Sequence, residues 1–284
     1  MATNPDASLH TSAPTSANSG AAVRRRNNVT ELGDPSARTL LLAHGFGCSQ
    51  EVWRKVAPDL ARDFHVVLFD HVGAGGSDLS AYDAGKYDSL DGYADDVVEI
   101  VDGLGLRDVV YIGHSVSSMV GVLASTRRPD LFSALILVGP SARYVNDGDY
   151  VGGFEQADID SLLDALDANY LGWSADMAPL IMGNSERPEL GQELTASFCR
   201  IDPAIARQFA RVTFLSDNRD DLPAVTTPTL VLQCADDIIA PTTVGRFVNE
   251  SIPGSRMVLM KTRGHIPNLS GSDELIGEIR SYLK

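Results

Sequence analysis

The sequence predicts an α/β fold, a mostly parallel central sheet with flanking helices and an all-helical insertion, and three observations carry that prediction. From Asn28 onward, short β-rich runs alternate with segments of helical periodicity, the pattern of strands joined by crossover helices. One apolar β-branched run stops at Gly113 and becomes helix-compatible directly after Ser115. Over residues 141–216 the alternation lapses, and apolar residues recur only at helix spacing.

Taken in order, residues 1–22 are rich in Ala, Ser, Thr and Asn with almost nothing to bury, and are expected to form a disordered tail. Arg24-Arg25-Arg26 follows as a solvated charge cluster. Strands are expected near 39–43, 66–70, 109–112, 134–138, 229–233 and 256–260, and helices near 49–61, 90–104, 116–127, 242–251 and 273–283. Within the insertion, Ile159, Leu162, Leu163, Leu166 and Tyr170 share one helix face, and Leu190, Leu194 and Phe198 mark another. Asp202-Pro203 reads as an N-cap with proline at the first helical position, ahead of Ile205, Phe209 and Val212. A helical segment placed there is expected to sit as a lid over the C-terminal ends of the strands, the edge where open α/β sheets bind ligands. The division expected is therefore a tail over 1–22, a core from 23–140 and 217–284, and a lid over 141–216.

Bulk properties narrow the function. A chain of 284 residues, 44% hydrophobic and 21% charged, holds one large α/β domain. A formal charge of −15 argues against nucleic acid or an anionic membrane as partner, because both are held by Lys and Arg. Cys48, Cys199 and Cys234 are odd in number and form no C-x-x-C pair, so neither a disulfide framework nor a zinc site is expected, and a cytoplasmic location fits. No stretch reaches the roughly 20 apolar residues of a membrane helix, and the N-terminus lacks a signal-peptide core.

The chemistry gathers around Gly113-His114-Ser115-Val116-Ser117, a G-x-S-x-G elbow with serine in place of its second glycine. Such an elbow lifts the serine Oγ clear of the backbone above a helix N-terminus. A serine nucleophile needs a base, usually a histidine oriented by a carboxylate. Of six histidines, His265 is placed best, in a loop after a strand near the C-terminus. His114 adjoins Ser115, but neighbours on such a bend point apart. The carboxylate is expected after the strand near 229–233, where Asp236 and Asp237 are both available. An oxyanion hole needs two aimed N–H groups: Val116 follows the nucleophile, and Phe46 lies in His44-Gly45-Phe46-Gly47-Cys48, with glycines on either side. Cys48 has no identified base and reads as a small buried residue. The Asp70–Ser77 run contains Gly73, Gly75 and Gly76 but does not complete G-x-G-x-x-G, so it reads as a structural turn. No metal-ligand cluster and no cofactor motif is seen.

With these pieces placed, the chain resembles the α/β-hydrolase superfamily from about Val29 onward. The order Ser115, Asp237, His265 is the order of that superfamily, unlike chymotrypsin or subtilisin. Its members commonly read G-x-x-D-x-x-x-P after the fifth of these strands, and in that register the acid is Asp237, with Cys234 in the glycine position and Asp236 facing solvent or in the turn. His44-Gly-Phe-Gly-Cys-Ser-Gln-Glu-Val-Trp53, Phe69-Asp-His-Val-Gly-Ala-Gly-Gly-Ser-Asp-Leu79, Gly113-His-Ser-Val-Ser117, Arg128-Pro-Asp-Leu-Phe132 and Gln233-Cys-Ala-Asp-Asp-Ile-Ile-Ala-Pro241 are similar to one subgroup. That subgroup holds the bacterial stress-signalling hydrolase RsbQ and the plant strigolactone and karrikin receptors. Ser117 also occurs in the plant receptors, and Asn268 stands where a histidine is expected. The resemblance implies a four-helix lid over an apolar pocket, a Ser-His-Asp hydrolase acting on a small hydrophobic ester or lactone, and, for RsbQ-like members, a PP2C-type phosphatase with a PAS sensor domain as partner. Two alternatives stand beside this reading: a ligand-gated binding module whose lid, with Asp160 and Glu155 on its surface, recruits a partner, and a plain carboxylesterase.

Overall fold

The computed structural model describes residues 16–284. Its framework is a seven-stranded sheet of β1 (Thr30–Leu32), β2 (Thr39–Ala43), β3 (His65–Leu68), β4 (Val109–His114), β5 (Phe132–Val138), β6 (Thr229–Cys234) and β7 (Arg256–Met260), in the order β1-β3-β2-β4-β5-β6-β7. All neighbours run parallel except β1, which pairs antiparallel with β3. The helices are α1 (Ser16–Arg26), α2 (Ala57–Leu60), α3 (Leu90–Gly103), α4 (Val116–Arg127), α5 (Gln156–Ala168), α6 (Tyr170–Met182), α7 (Pro188–Phe198), α8 (Pro203–Phe214), α9 (Thr242–Ser251), α10 (Pro267–Ser270) and α11 (Ser272–Leu283).

Central strands are buried along their whole length, as strands covered on both faces must be. Alternation then sends Leu40, Leu42, Val110 and Ile112 to one face and Leu41, Val109 and Tyr111 to the other, so the core is divided in two by the sheet. The first half is completed by α11 and by α5–α8, which connect β5 to β6; the second is completed by α3, α4 and α9. Asp202 accepts from the N–H groups of Ala204 and Ile205 and starts α8 at Pro203.

Four expectations need correction. Residues 1–15 of the expected tail lie outside the described residues, but from Ser16 the chain is helical. Its Val23 is buried over Gly103 of α3, a contact that its run of small residues did not announce. The arginine cluster is paired rather than solvated. Arg24 meets Glu31, Arg25 lies 3.4 Å from Asp78, and Arg26 lies 3.3 Å from Asp96, a buried carboxylate also bonded by Lys86 and by Tyr87. The helix expected over 49–61 is a 3-10 turn at Gln50–Trp53 followed by the single turn of α2, because Pro58 has no N–H to continue the ladder. Tyr170 does not extend the face begun by Ile159. It opens α6, after Asn169 caps that helix by accepting from the Gly172 N–H.

Candidate active site

Ser115 is the one residue between β4 and α4, and it turns the chain with φ 58° and ψ −126°. A non-glycine residue held there stores about 1–3 kcal/mol of strain. Two bonds hold the bend: the Ser115 N–H donates to the Val138 carbonyl at 2.8 Å, and the Ser118 N–H donates to the Ser115 carbonyl at 2.8 Å. The side chain is left at the C-terminal edge of the sheet, at the floor of a small cavity.

Two loops converge on it. From the loop between β7 and α10, His265 places Nε2 2.7 Å from Ser115 Oγ. From the loop after β6, Asp237 places Oδ2 2.7 Å from His265 Nδ1. A carboxylate can only accept, so His265 carries its proton on Nδ1 and leaves Nε2 free to accept from the serine hydroxyl. The other Asp237 oxygen, Oδ1, accepts from the Ile239 and Ala240 N–H groups at 2.9 and 3.0 Å. Asp236 faces solvent, 3.1 Å from Arg263.

The backbone of His265 is held at both ends. Its N–H donates to the Ile181 carbonyl of α6 at 2.9 Å, and its carbonyl accepts from His114 Nε2 at 2.8 Å. Burial, with His265 facing it, pushes His114 down to about 3, so this imidazole is neutral and acts as a fixed donor. Sequence reading set His114 aside as a base without finding this role. The available signal was a histidine inside an otherwise apolar buried strand.

The His44–Cys48 loop passes so close to the elbow that a Cβ on Gly45 would lie 3.1 Å from the Ser115 Cβ. This brings the Phe46 backbone beside Ser115. Val116 is the first residue of α4, so its N–H has no acceptor within the helix. The Phe46 ring is surrounded by Trp173 of α6, Phe198 of α7, and Phe209 and Phe214 of α8, at centroid separations of 6.2, 5.8, 5.8 and 6.1 Å.

Ser117, the departure from the glycine pattern, ties these parts together. Its hydroxyl donates to the His44 carbonyl and accepts from His71 Nε2 at 2.7 Å, while the His71 N–H donates to His44 Nε2 at 3.1 Å. Burial lowers the pKa of both histidines, His71 further because His44 faces it, which keeps both neutral. Ser117→Ala is expected to remove the central member of this network and leave a buried donor and acceptor unpaired. The loss expected is about 1–3 kcal/mol of stability and about tenfold in turnover of a p-nitrophenyl ester through misplacement of the Phe46 amide. Melting temperature and kcat measure the two effects.

Cys48 is buried, and burial pushes its thiol up to about 12, so it stays protonated. The glycine-containing turn after β3 wraps the Asp70 carboxylate, which accepts from Gln50 N, Asn28 Nδ2 and Gly76 N at 2.7, 2.8 and 2.8 Å. Asn268 is fully buried in α10 with both amide atoms unpartnered. Among the described residues no His, Cys, Asp or Glu cluster has the arrangement of a metal site, and no helix is long and apolar enough to cross a membrane.

Phe46, Tyr144, Ile181, Phe198 and Phe214 wall the cavity above Ser115, whose volume of about 20 Å³ is water-sized. Residues 38–272 match the model of the alpha/beta hydrolase fold family. The chain is 41% identical to strigolactone esterase D14 of Arabidopsis thaliana, over 90% of this chain and 96% of that protein. It is 40% identical to karrikin insensitive 2 receptor CA of Petunia hybrida, over 89% and 94%. A solved hydrolase from Oleispira antarctica superposes with a TM-score of 0.90 at 42% identity, covering 93% of this chain and 97% of that one.

Proposed function

The chain belongs to the α/β-hydrolase family, and from that premise we propose that it cleaves a small hydrophobic ester or lactone through Ser115, His265 and Asp237. The observation that carries this is the continuous set of hydrogen bonds from Ser115 Oγ through His265 to Asp237, set on a strained elbow beneath an apolar cavity. In this mechanism His265 Nε2 takes the hydroxyl proton as Ser115 Oγ attacks the carbonyl carbon. Asp237 stabilises the imidazolium that forms, and the Phe46 and Val116 amides receive the negative charge on the carbonyl oxygen. His265 then protonates the departing alkoxide. A water molecule, activated by the same imidazole, releases the acyl group from Ser115.

Residues 141–216 act as the lid in this reading, over a core of 23–140 and 217–284. The RsbQ-like motifs support a cytoplasmic regulator, turning over slowly and working beside a PP2C-type phosphatase with a PAS sensor domain. Intact-protein mass spectrometry tests the chemistry. Incubation with candidate esters and lactones is expected to add one acyl mass to the wild-type chain and none to Ser115→Ala, and an equal adduct on both proteins would refute the mechanism.

A receptor reading is favoured by one observation. A 20 Å³ cavity cannot admit an ester while the insertion stays where it is, so ligand entry requires that α6–α8 shift. Such a shift is what a partner would read. Under this reading Ser115→Ala keeps ligand-dependent phosphatase binding in a pull-down, whereas Asp160→Lys, at an exposed site on α5, loses it. Glu155 is the poorer probe, because it bonds Asn146 and its N–H donates to Asp158 at the start of α5.

A further inference from the structure

The helices of the insertion contribute one polar side chain to the cavity wall, Thr213 in the last turn of α8. It is 1% exposed, and its Oγ1 has no hydrogen-bond partner. This sets it apart from the buried serine hydroxyls on helices among the described residues. Ser118, Ser125 and Ser174 donate to the carbonyls of Gly113, Val122 and Tyr170 at 3.0, 2.9 and 2.7 Å, and Ser117 donates to His44. A helical threonine ordinarily bonds back to the preceding turn in the same way. Valine has the same shape and would leave nothing unpaired, and no protein group accounts for a hydroxyl at this position.

The scissile group does not explain it. That group belongs to Ser115 and the backbone amides below, and the other unpartnered hydroxyl in the wall, Tyr144, lies beside Ser115 and faces the same scissile group. Beyond the floor formed by Ser115, His114 and His265, the side chains of Phe46, Ile181, Phe198 and Phe214 offer no polar atom. We propose that Thr213 Oγ1 donates a hydrogen bond to a second, non-scissile oxygen of the substrate, so that the natural substrate is an ester or lactone with an additional ether, carbonyl or hydroxyl oxygen. Selection works in both directions. An all-carbon acyl chain leaves Thr213 unpaired, and an oxygenated one loses its hydration without compensation unless Thr213 meets it.

The inference rests on the hydrolase reading and is tested with matched esters in which oxygen replaces a methylene. The pairs are p-nitrophenyl methoxyacetate with p-nitrophenyl butyrate, and p-nitrophenyl 3-methoxypropanoate with p-nitrophenyl pentanoate. Comparing Thr213→Val with wild type within each pair cancels the intrinsic reactivity of the esters. The expected result is a fall of about tenfold in the oxygenated-to-carbon ratio of kcat/KM for at least one pair, carried mainly by KM. Thr213→Ser is expected to retain the wild-type ratio, and Thr213→Val to melt at a higher temperature than wild type. Ratios unchanged by valine in both pairs overturn the role of Thr213. If p-nitrophenolate release in that experiment still depends on Ser115, the hydrolase reading survives that outcome. Release independent of Ser115 removes the hydrolase reading instead.

Discussion

Ser115→Ala is expected to lower kcat for p-nitrophenyl acetate by about 10,000-fold or more, with little change in melting temperature. The size follows from the role. The hydroxyl at 2.7 Å from His265 Nε2 is the one nucleophile on the floor of the cavity, and without it hydrolysis falls back on water held by the remaining binding groups. Cys48 is no substitute, since its buried thiol keeps its proton. Stability is expected to rise slightly, because alanine removes a polar atom from a buried position without altering the bend. Retention of more than about a hundredth of wild-type kcat would contradict the assignment, since loss of a nucleophile costs far more.

Asp237→Asn is expected to be nearly as severe, about 10,000-fold in kcat, while the fold is preserved. The reason is specific to this loop. The Ile239 and Ala240 amides both donate to Oδ1, so the asparagine must present its carbonyl oxygen to them and its NH2 to His265. Nδ1 of His265 then becomes an acceptor, and the proton moves to Nε2. In that tautomer Nε2 faces Ser115 as a donor and cannot take the serine proton. Asp237→Ala removes the orienting group without imposing the wrong tautomer, and is expected to lose less activity and more stability. Steady-state kinetics on both variants, with thermal melts, separate the two effects.

What could be read from the sequence followed from how local each signal is. Strands β2 and β7 and helices α4 and α9 sit where periodicity places them, because each is a continuous run whose burial is set by its own pattern. Ser115 could be read from the abrupt change of period, and His265 from its loop after a predicted strand. The choice between Asp237 and Asp236 needed the family register, since adjacent carboxylates on a loop look alike until the backbone aims one inward. The supporting groups were hidden for a different reason. The bonds of His114 to the His265 carbonyl, of Ser117 to the His44 carbonyl and of Ile181 to the His265 amide span 151, 73 and 84 positions of chain, and no residue type requires any of them. Likewise α1 was missed because small residues carry no periodic apolar face, and only the surface of α3 makes burying Val23 favourable. Thr213 showed nothing unusual in sequence, because a helical threonine is remarkable only when its hydroxyl lacks a partner.

The bond between the Ile181 carbonyl and the His265 amide joins the helical insertion to the loop that carries the proposed base. The contact beside it is close: a Cβ on Gly264 would lie 1.8 Å from the Met182 carbonyl oxygen, so the end of α6 and the histidine loop fit as one surface. If α6 is displaced, as the receptor reading requires, this bond and this contact are lost with it and the seating of His265 is weakened. A partner that grips the insertion in the displaced arrangement and a small molecule that binds only the seated one would weaken each other by the same factor. The occupancy of the cavity would thereby be legible on the outside of the protein, and the outside could set how long an acyl group remains within.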